Sequence, residues 1–317
     1  MLRIQGPTDR PHSLDRPIIT LGTFDGVHIG HRRLIQQLVT WARDEDGDAV
    51  IITFDQHPRV VLSGLEPLSI TSLEHRLVLF ERLGVDACVV LKFDNELASV
   101  SAEDFALQYF RDWLNSKGAL LGFDCRFGRG ARGNIDLLER MSPELGMEVR
   151  AFEQQSVGSL VPSSTAIRKA IRTADLEAAC AMLGRPVSIL GEVVEGDRRG
   201  STIGFPTANI APHHEILPPI GVYACTVSVE GRTFKAVSNI GVRPTVSRAG
   251  DQTVETHILD YEGDLYGQVL EVEFHRLLRP EKQFSGLDEL RGQIAEDTEE
   301  AKRTLEEIVL QKRQNSE

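Results

Sequence analysis

Apolar positions follow two different rhythms along this chain. In the first part, short runs that are apolar throughout alternate with stretches in which apolar residues recur every three or four positions. Ile18, Ile19 and Leu21 form a β-branched-rich run that predicts a buried strand, and Leu34, Ile35, Leu38 and Trp41 then return at helical spacing. Ala49–Phe54 predicts a second strand, and Thr71 and Glu74 stand as a capping box ahead of a helix through Leu73, Leu77, Phe80 and Leu83. A third strand follows at Ala87–Leu91, then a helix opened by Ser101 and Asp104 that carries Phe105, Tyr109 and Trp113. A fourth strand at Ala119–Gly122, a helix at Asn134–Leu145 and a fifth strand at Val149–Phe152 complete the series. Strands alternating with helices argue for a parallel sheet covered on both faces. In such sheets ligands bind beyond the carboxyl ends of the strands, where strand order reverses.

The rhythm changes after a helix at Leu176–Leu183, where Gly184-Arg185-Pro186 stops the helix and resets the chain. Short β-rich runs then follow without helices between them, at Val187–Val194, Gly221–Val229, Thr233–Ile240, Val254–Leu259 and Val269–Leu278. Glu230-Gly231 reads as a tight hairpin turn between two of them. Such a series predicts a small antiparallel barrel or sandwich. Leu290, Ile294, Ala301, Leu305 and Ile308 mark one face of a terminal helix. The expected fold class is α/β plus all-β: a Rossmann-like domain over residues 1–184, and over 186–317 a small antiparallel β-barrel with a terminal helix.

Composition narrows the partners more than the fold. A chain of 317 residues suits two domains. Its net charge of −12 argues against nucleic acid, which calls for a basic face. Cys88, Cys125, Cys180 and Cys225 show neither CxxC spacing nor a metal-like cluster, which suits a reducing cytosol. No apolar run is long enough to span a bilayer, and the N-terminus lacks the apolar core of a secretory signal. A cytoplasmic protein with no membrane, no nucleic acid and no obligate protein partner is expected.

Candidate chemistry concentrates in the stretch Gly22–His31, GTFDGVHIGH, between the first predicted strand and the helix after it. His28 and His31 are separated by Ile29 and Gly30, so both imidazoles can reach one point outside the helix N-terminus. The first NH groups of a helix have no intrahelical partner and already favour anions there. Two imidazole donors at that point suit a phosphate that gains negative charge during reaction. His57 follows the second strand in FDQHP, where Pro58 could equally fix a turn. GFDCRFGRGARGN at Gly122–Asn134 leaves the fourth strand with four glycines and with Arg126, Arg129 and Arg132, for which an anionic ligand is the simplest account. SSTAIR opens a further helix, with Ser163, Ser164 and Thr165 as N-cap residue types and Arg168 one turn inside. In the second half, GSTIGFPTANI at Gly200–Ile210 sets Thr207 and Asn209 on one face of an extended chain behind Pro206. Their oxygens are hard ligands that could complete a Mg2+ sphere built mainly from phosphates.

HxGH after a first strand resembles the signature of the nucleotidyltransferase superfamily. With Phe24, Asp25 and Gly26 ahead of it, the string is similar to the adenylyltransferase half of bifunctional bacterial riboflavin kinase/FAD synthetases. SSTAIR matches that family's second nucleotidyltransferase motif, and PTAN is the hallmark of riboflavin kinases. Glu255, in VETHILDY, matches the kinase glutamate that takes the proton of the ribityl 5′-hydroxyl, and SNIGVRPTV at Ser238–Val246 matches the loop before it. The resemblance runs from residue 18 to about 310 and implies ATP as co-substrate, Mg2+, and riboflavin, FMN and FAD as substrate and product. It implies catalytic roles for His28, His31, Arg168 and Glu255, and Mg2+ contacts by Thr207 and Asn209. Nucleotide or flavin contacts fall to Gly22, Phe24, Asp25, Gly30, His57, Asp124, Arg126, Ser163, Ser164, Thr165, Gly204 and Arg198. Two other readings stay open: a class I aminoacyl-tRNA synthetase, which shares the HIGH string but would need a KMSKS-like segment, and a transferase regulated by a flavin-sensing barrel.

Overall fold

The computed structural model describes residues 1–7, 14–64, 68–153, 162–196, 204–213, 215–242 and 252–314. They form two compact units, Met1–Pro162 and Ser163–Glu317.

The first unit is built on six parallel strands: β1 (Leu2–Gln5), β2 (Ile18–Leu21), β3 (Ala49–Phe54), β4 (Ala87–Leu91), β5 (Gly118–Gly122) and β6 (Glu148–Phe152), in the order β1-β4-β3-β2-β5-β6. Adjacent residues of the central strands feed different cores. Ile19, Val50, Ile52, Ala119 and Leu121 pack on one face, while Ile18, Ile51 and Leu120 pack on the other against Leu34, Ile35, Leu38 and Trp41. Burial on both faces explains why these strands read as continuous apolar runs. Strand order reverses at β2, which has β3 on one side and β5 on the other. The HxGH stretch leaves β2 and the arginine-rich loop leaves β5, so both emerge at that switch point.

The helices of this unit are α1 (Ile29–Asp44), α2 (Pro58–Ser63), α3 (Leu73–Arg82), α4 (Asn95–Ser99), α5 (Ala102–Phe105) and α6 (Ile135–Leu145). Besides the short helices α2 and α4, which the sequence reading does not contain, three features depart from it. Strand β1 was not anticipated: only Ile4 of its four residues is buried, too little for a periodic signal. The cap of α3 is Ser72, whose hydroxyl accepts the His75 N–H at 3.1 Å, and not Thr71. The Thr71 hydroxyl is already engaged, accepting the Gly26 N–H at 2.9 Å. Finally, α5 runs on as a π-helical segment over Ala106–Trp113, where Phe105 stacks on Tyr109 at 4.6 Å and meets Phe110 edge-on.

The second unit begins with α7 (Ser164–Arg172) and α8 (Leu176–Leu183) and continues into a closed antiparallel barrel. Its strands are β7 (Val187–Val194), β8 (Ala208–Pro212), β9 (Gly221–Val229), β10 (Arg232–Val242), β11 (Gln252–Ile258) and β12 (Val269–Arg279), in the order β10-β11-β8-β7-β12-β9. The β9–β10 turn has positive φ at both Glu230 (49°) and Gly231 (76°), the handedness that matches strand twist. Helix α9 (Leu287–Gln314) lays Ala301 and Leu305 on Val222, Ala224 and Val237. Arg279 of β12 clasps Asp297 of α9 through Nε at 2.9 Å and Nη2 at 2.8 Å. Within this unit α8 packs on β7 and β12, so the compact units divide before α7, while the sequence reading sets the domain junction after α8.

Candidate active sites

His28 and His31 come together at the mouth of α1. Their rings stack with centroids 3.6 Å apart and planes within 16°. His28 is the N-cap of the helix, and its Nδ1 accepts the His31 N–H at 3.4 Å. An Nδ1 that accepts leaves the ring proton on Nε2, which is thereby a donor. Gly30 lets the rings close: a Cβ there would lie 3.2 Å from Cε1 of His28. His31 is lodged edge-on against Phe24, whose ring is buried and in turn meets Phe80. Burial, and next the neighbouring His28, hold the pKa of His31 well below the ordinary imidazole value. The stacked pair is thus built to work as neutral donors, since two imidazolium rings at this distance would repel. Nδ1 of His31 is enclosed with no hydrogen-bond partner.

The turn into this pair is strained and firmly held. Phe24 and Val27 both adopt positive φ (50° and 40°), and the Val27 N–H bonds back to the Phe24 carbonyl at 3.0 Å. Asp25 is buried and its Oδ1 accepts the N–H groups of Ile70 (2.8 Å) and Thr71 (3.2 Å). Gly22, at the end of β2, donates to the Ile52 carbonyl at 3.1 Å.

An apolar cavity of about 210 Å³ opens beside the arginine-rich loop. Phe54, Phe93, Leu97, Phe105 and Phe127 line it, with Pro58 and Arg126 at its wall. His57 caps α2, its Nδ1 accepting the Arg59 N–H at 3.1 Å. Asp124 and Arg126 are exposed, and Nη1 of Arg126 bonds the Cys125 carbonyl at 2.8 Å. Cys125 itself donates to the Leu21 carbonyl at 3.4 Å, tying the loop to the end of β2, and burial pushes its thiol up to about 12.

In the second unit, Ser163 caps α7 by accepting the Ala166 N–H at 3.2 Å, with Ser164, Thr165 and Arg168 in the turn behind it. On the barrel, strand register sets Asn209 of β8 opposite Glu255 of β11, and Glu255 opposite Asn239 of β10. Residues paired in register share a face, so these three polar side chains form one row on the outer wall. Val254 and Thr256 beside Glu255 are buried, which leaves its carboxylate exposed. Gly196 passes so close to the Asn209 amide that any Cβ would overlap it. Thr207 directly precedes β8, and Gly204, three residues earlier, has positive φ (89°). Arg198 lies outside the described residues. Asn239 was not singled out from the sequence, since only the β10–β11 register puts it beside Glu255. Among the described residues no cluster of three or more His, Cys, Asp or Glu side chains could hold a metal ion.

A family model described as FAD synthetase matches residues 10–166, and one described as riboflavin kinase matches residues 183–305. The chain is 37% identical over 282 residues to the bifunctional riboflavin kinase/FMN adenylyltransferase of Escherichia coli (strain K12), covering 88% of this chain and 90% of that protein. It is 35% identical over 292 residues to the protein of the same name from Bacillus subtilis (strain 168), covering 90% and 92%. A solved structure from Streptococcus pneumoniae, described as a macrolide-efflux protein, superimposes with a TM-score of 0.80 at 29% identity over 95% of this chain and 99% of that one. Among the described residues here, no helix is long and apolar enough to cross a membrane.

Proposed function

The chain belongs to the bifunctional riboflavin kinase/FMN adenylyltransferase family, and from that premise we infer how its residues divide the two reactions. It phosphorylates riboflavin to FMN with ATP, then adenylylates FMN to FAD with ATP and releases pyrophosphate. The two chemistries ask different things of the protein, and the two sets of side chains differ accordingly.

In adenylyl transfer an FMN phosphate oxygen attacks the α-phosphorus of ATP, and the bond from that phosphorus to the bridging oxygen of pyrophosphate breaks. The attacking phosphate is already anionic, so no base is needed. The requirement is for donors to oxygens that gain charge. The stacked pair of neutral histidines at the α1 mouth is the observation that carries this reading. His28 and His31 donate to the α-phosphate, and Arg168 with Ser163, Ser164 and Thr165 receives the departing pyrophosphate. Gly22, Phe24 and Gly30 shape the turn for the nucleotide, with Asp124 beside it. The aromatic cavity beside Arg126 and the His57 turn takes the isoalloxazine, whose flat apolar rings match its phenylalanine lining.

In the kinase reaction the nucleophile is a neutral hydroxyl, so a base is required. Glu255 takes the proton of the ribityl 5′-hydroxyl as its oxygen attacks the γ-phosphorus of ATP, and ADP leaves. Asn209 and Asn239 flank that carboxylate and orient it. The hydroxyl of Thr207 and the amide oxygen of Asn209 fit Mg2+ as a partial ligand set, the remaining positions falling to ATP phosphates and water. When bound, the ion neutralises phosphate charge. Gly204 contacts the nucleotide, a role that the family resemblance extends to Arg198. Four scattered cysteines without CxxC spacing suit a cytoplasmic setting.

Incubation of the full chain with riboflavin, ATP and Mg2+, followed by chromatography of the flavins, tests the whole reading. FMN should appear first and FAD after it. Failure of riboflavin to be converted, with FAD formed only from supplied FMN, would refute the assignment of Glu255 and its row.

A further inference from the structure

Arg76 is a buried cation on α3 whose side-chain hydrogen bonds, among the described residues, end on the segments leading into the proposed adenylyl-transfer site. Its Nη1 donates to the carbonyl of Thr23 at 2.5 Å and to the Thr53 hydroxyl at 2.8 Å, and its Nη2 to the carbonyl of Phe54 at 3.2 Å. Thr23 is the residue before the strained Phe24, and Phe54 lines the aromatic cavity. Nε is enclosed without a hydrogen-bond partner, so among the described residues the hydrogen bonds of the guanidinium go to these three groups, with the Asp25 carboxylate near enough to favour its charge. The same stretch of chain grips the turn from its other end, because Thr71 accepts from Gly26 while Ile70 and Thr71 donate to Asp25.

Stability alone does not account for this choice of residue. Filling such a volume with an apolar side chain is often as stabilising as a buried ion, or more so, because a buried charge must be desolvated. Three diverging donors on one rigid plane do something an apolar filler cannot: they fix the ends of β2 and β3 relative to each other. The turn they fix holds residues at positive φ that would relax if released.

We propose that Arg76 is a positioning residue for adenylyl transfer, locking the strained turn so that His28 and His31 are held in register with the flavin cavity floor at Phe54. Asp25 belongs to the same frame, holding the turn from within. The proposal rests on the reading that the histidine pair acts on the α-phosphate, and it predicts that Arg76 works through that pair.

The test uses the full chain as wild type, Arg76→Lys, Thr53→Val, Thr53→Ser, His31→Ala, and the double variant Arg76→Lys/His31→Ala. Kinetics of FAD formation from FMN and ATP are measured beside riboflavin phosphorylation and a thermal melt. Lysine keeps the charge but cannot reach three acceptors. Arg76→Lys should lower kcat for FAD formation by about tenfold or more, as expected for small displacements of reacting groups. KM for FMN should stay within about threefold and the kinase rate should be unchanged. Added to His31→Ala, the same substitution should change kcat by less than about threefold, because the pair it positions is already broken. Thr53→Val should lower kcat in the same direction and Thr53→Ser should keep it. A wild-type kcat in Arg76→Lys, or a full undiminished effect in the His31→Ala background, overturns the proposal. If Arg76→Lys does not fold, the threonine variants decide, and an unaffected Thr53→Val overturns it. Should His31→Ala itself leave FAD formation intact, the histidine reading fails and the proposal with it. That outcome differs from an impaired His31→Ala beside a normal Arg76→Lys, in which the positioning role alone fails.

Discussion

Replacing His31 by alanine separates catalysis from stability more cleanly than any other change at the first site. On the proposed reading the lost ring removes one donor to the charge developing on the α-phosphate, and a single donor of this kind is worth about 3–4 kcal/mol of barrier, or a few hundredfold in rate. Folding should hardly notice. Truncation forfeits the contacts of His31 with Phe24 and His28, on the order of 1–2 kcal/mol for a half-buried ring. It also removes an enclosed Nδ1 that has no partner, which costs the native state roughly 1–3 kcal/mol. These terms oppose each other, so the melting temperature should move little. His28→Ala should behave differently, because it also deletes the N-cap of α1 and about 1 kcal/mol with it. The assay is FAD formation from supplied FMN and ATP, with riboflavin phosphorylation by the same sample as internal control. A decrease of less than about tenfold in His31→Ala, with the kinase intact, would refute the donor role.

Two further outcomes follow from the charges. Glu255→Gln keeps size and hydrogen bonding but removes the proposed base, so riboflavin phosphorylation should be lost while FAD formation from FMN is spared, and near-normal phosphorylation would refute the assignment. His31 has a folded-state pKa below its unfolded value near 6.5, so the unfolded chain takes up the proton first as pH falls. Its contribution is therefore fully present above about pH 6.5 and is lost below it, by at most about 1.4 kcal/mol per pH unit. The melting temperature of the first unit should fall as pH drops below 6.5, and His31→Ala should flatten that slope.

What could be read from the sequence was whatever lies close together along it. The HxGH pair, the β2–α1 turn and the hairpin at Glu230-Gly231 depend on neighbours a few residues apart, and each was legible. Contacts between distant segments were not. Thr71 carries a cap-type side chain with an acid three residues on, and nothing local says its hydroxyl serves Gly26 across the fold. Ser72, next in line, takes the cap instead. Arg76 gives no local signal of its role, because its acceptors lie at residues 23, 53 and 54. Asn239 stands beside Glu255 only because β10 and β11 pair in one register, and shifting it by one residue would turn the side chain inward.

The segment between the two family matches, carrying most of α7 and α8, decides where the enzyme can be cut. In the proposed reading Ser163, Ser164, Thr165 and Arg168 serve FAD formation, yet α7, which they open, and α8 after it belong to the barrel unit. A fragment of residues 1–162 keeps the whole parallel sheet and its two cores and should fold, but it lacks the pyrophosphate cradle and should not make FAD. A fragment of residues 1–184 regains the cradle and should. For the kinase, the choice between 163–317 and 186–317 concerns stability. Leu176, Met182 and Leu183 of α8 are buried, each worth roughly 1.5–3 kcal/mol when fully covered. Deleting them removes several kcal/mol from a unit whose total is on the order of 5–15 kcal/mol. Both barrel fragments should phosphorylate riboflavin, since the row at Asn209, Glu255 and Asn239 is complete in each, but 186–317 should melt markedly lower. FAD formation by 1–162 at near the full-length rate would remove Arg168 and its serines from the chemistry. A folded 186–317 that is inactive beside an active 163–317 would show instead that the kinase needs α7 and α8 for more than cover.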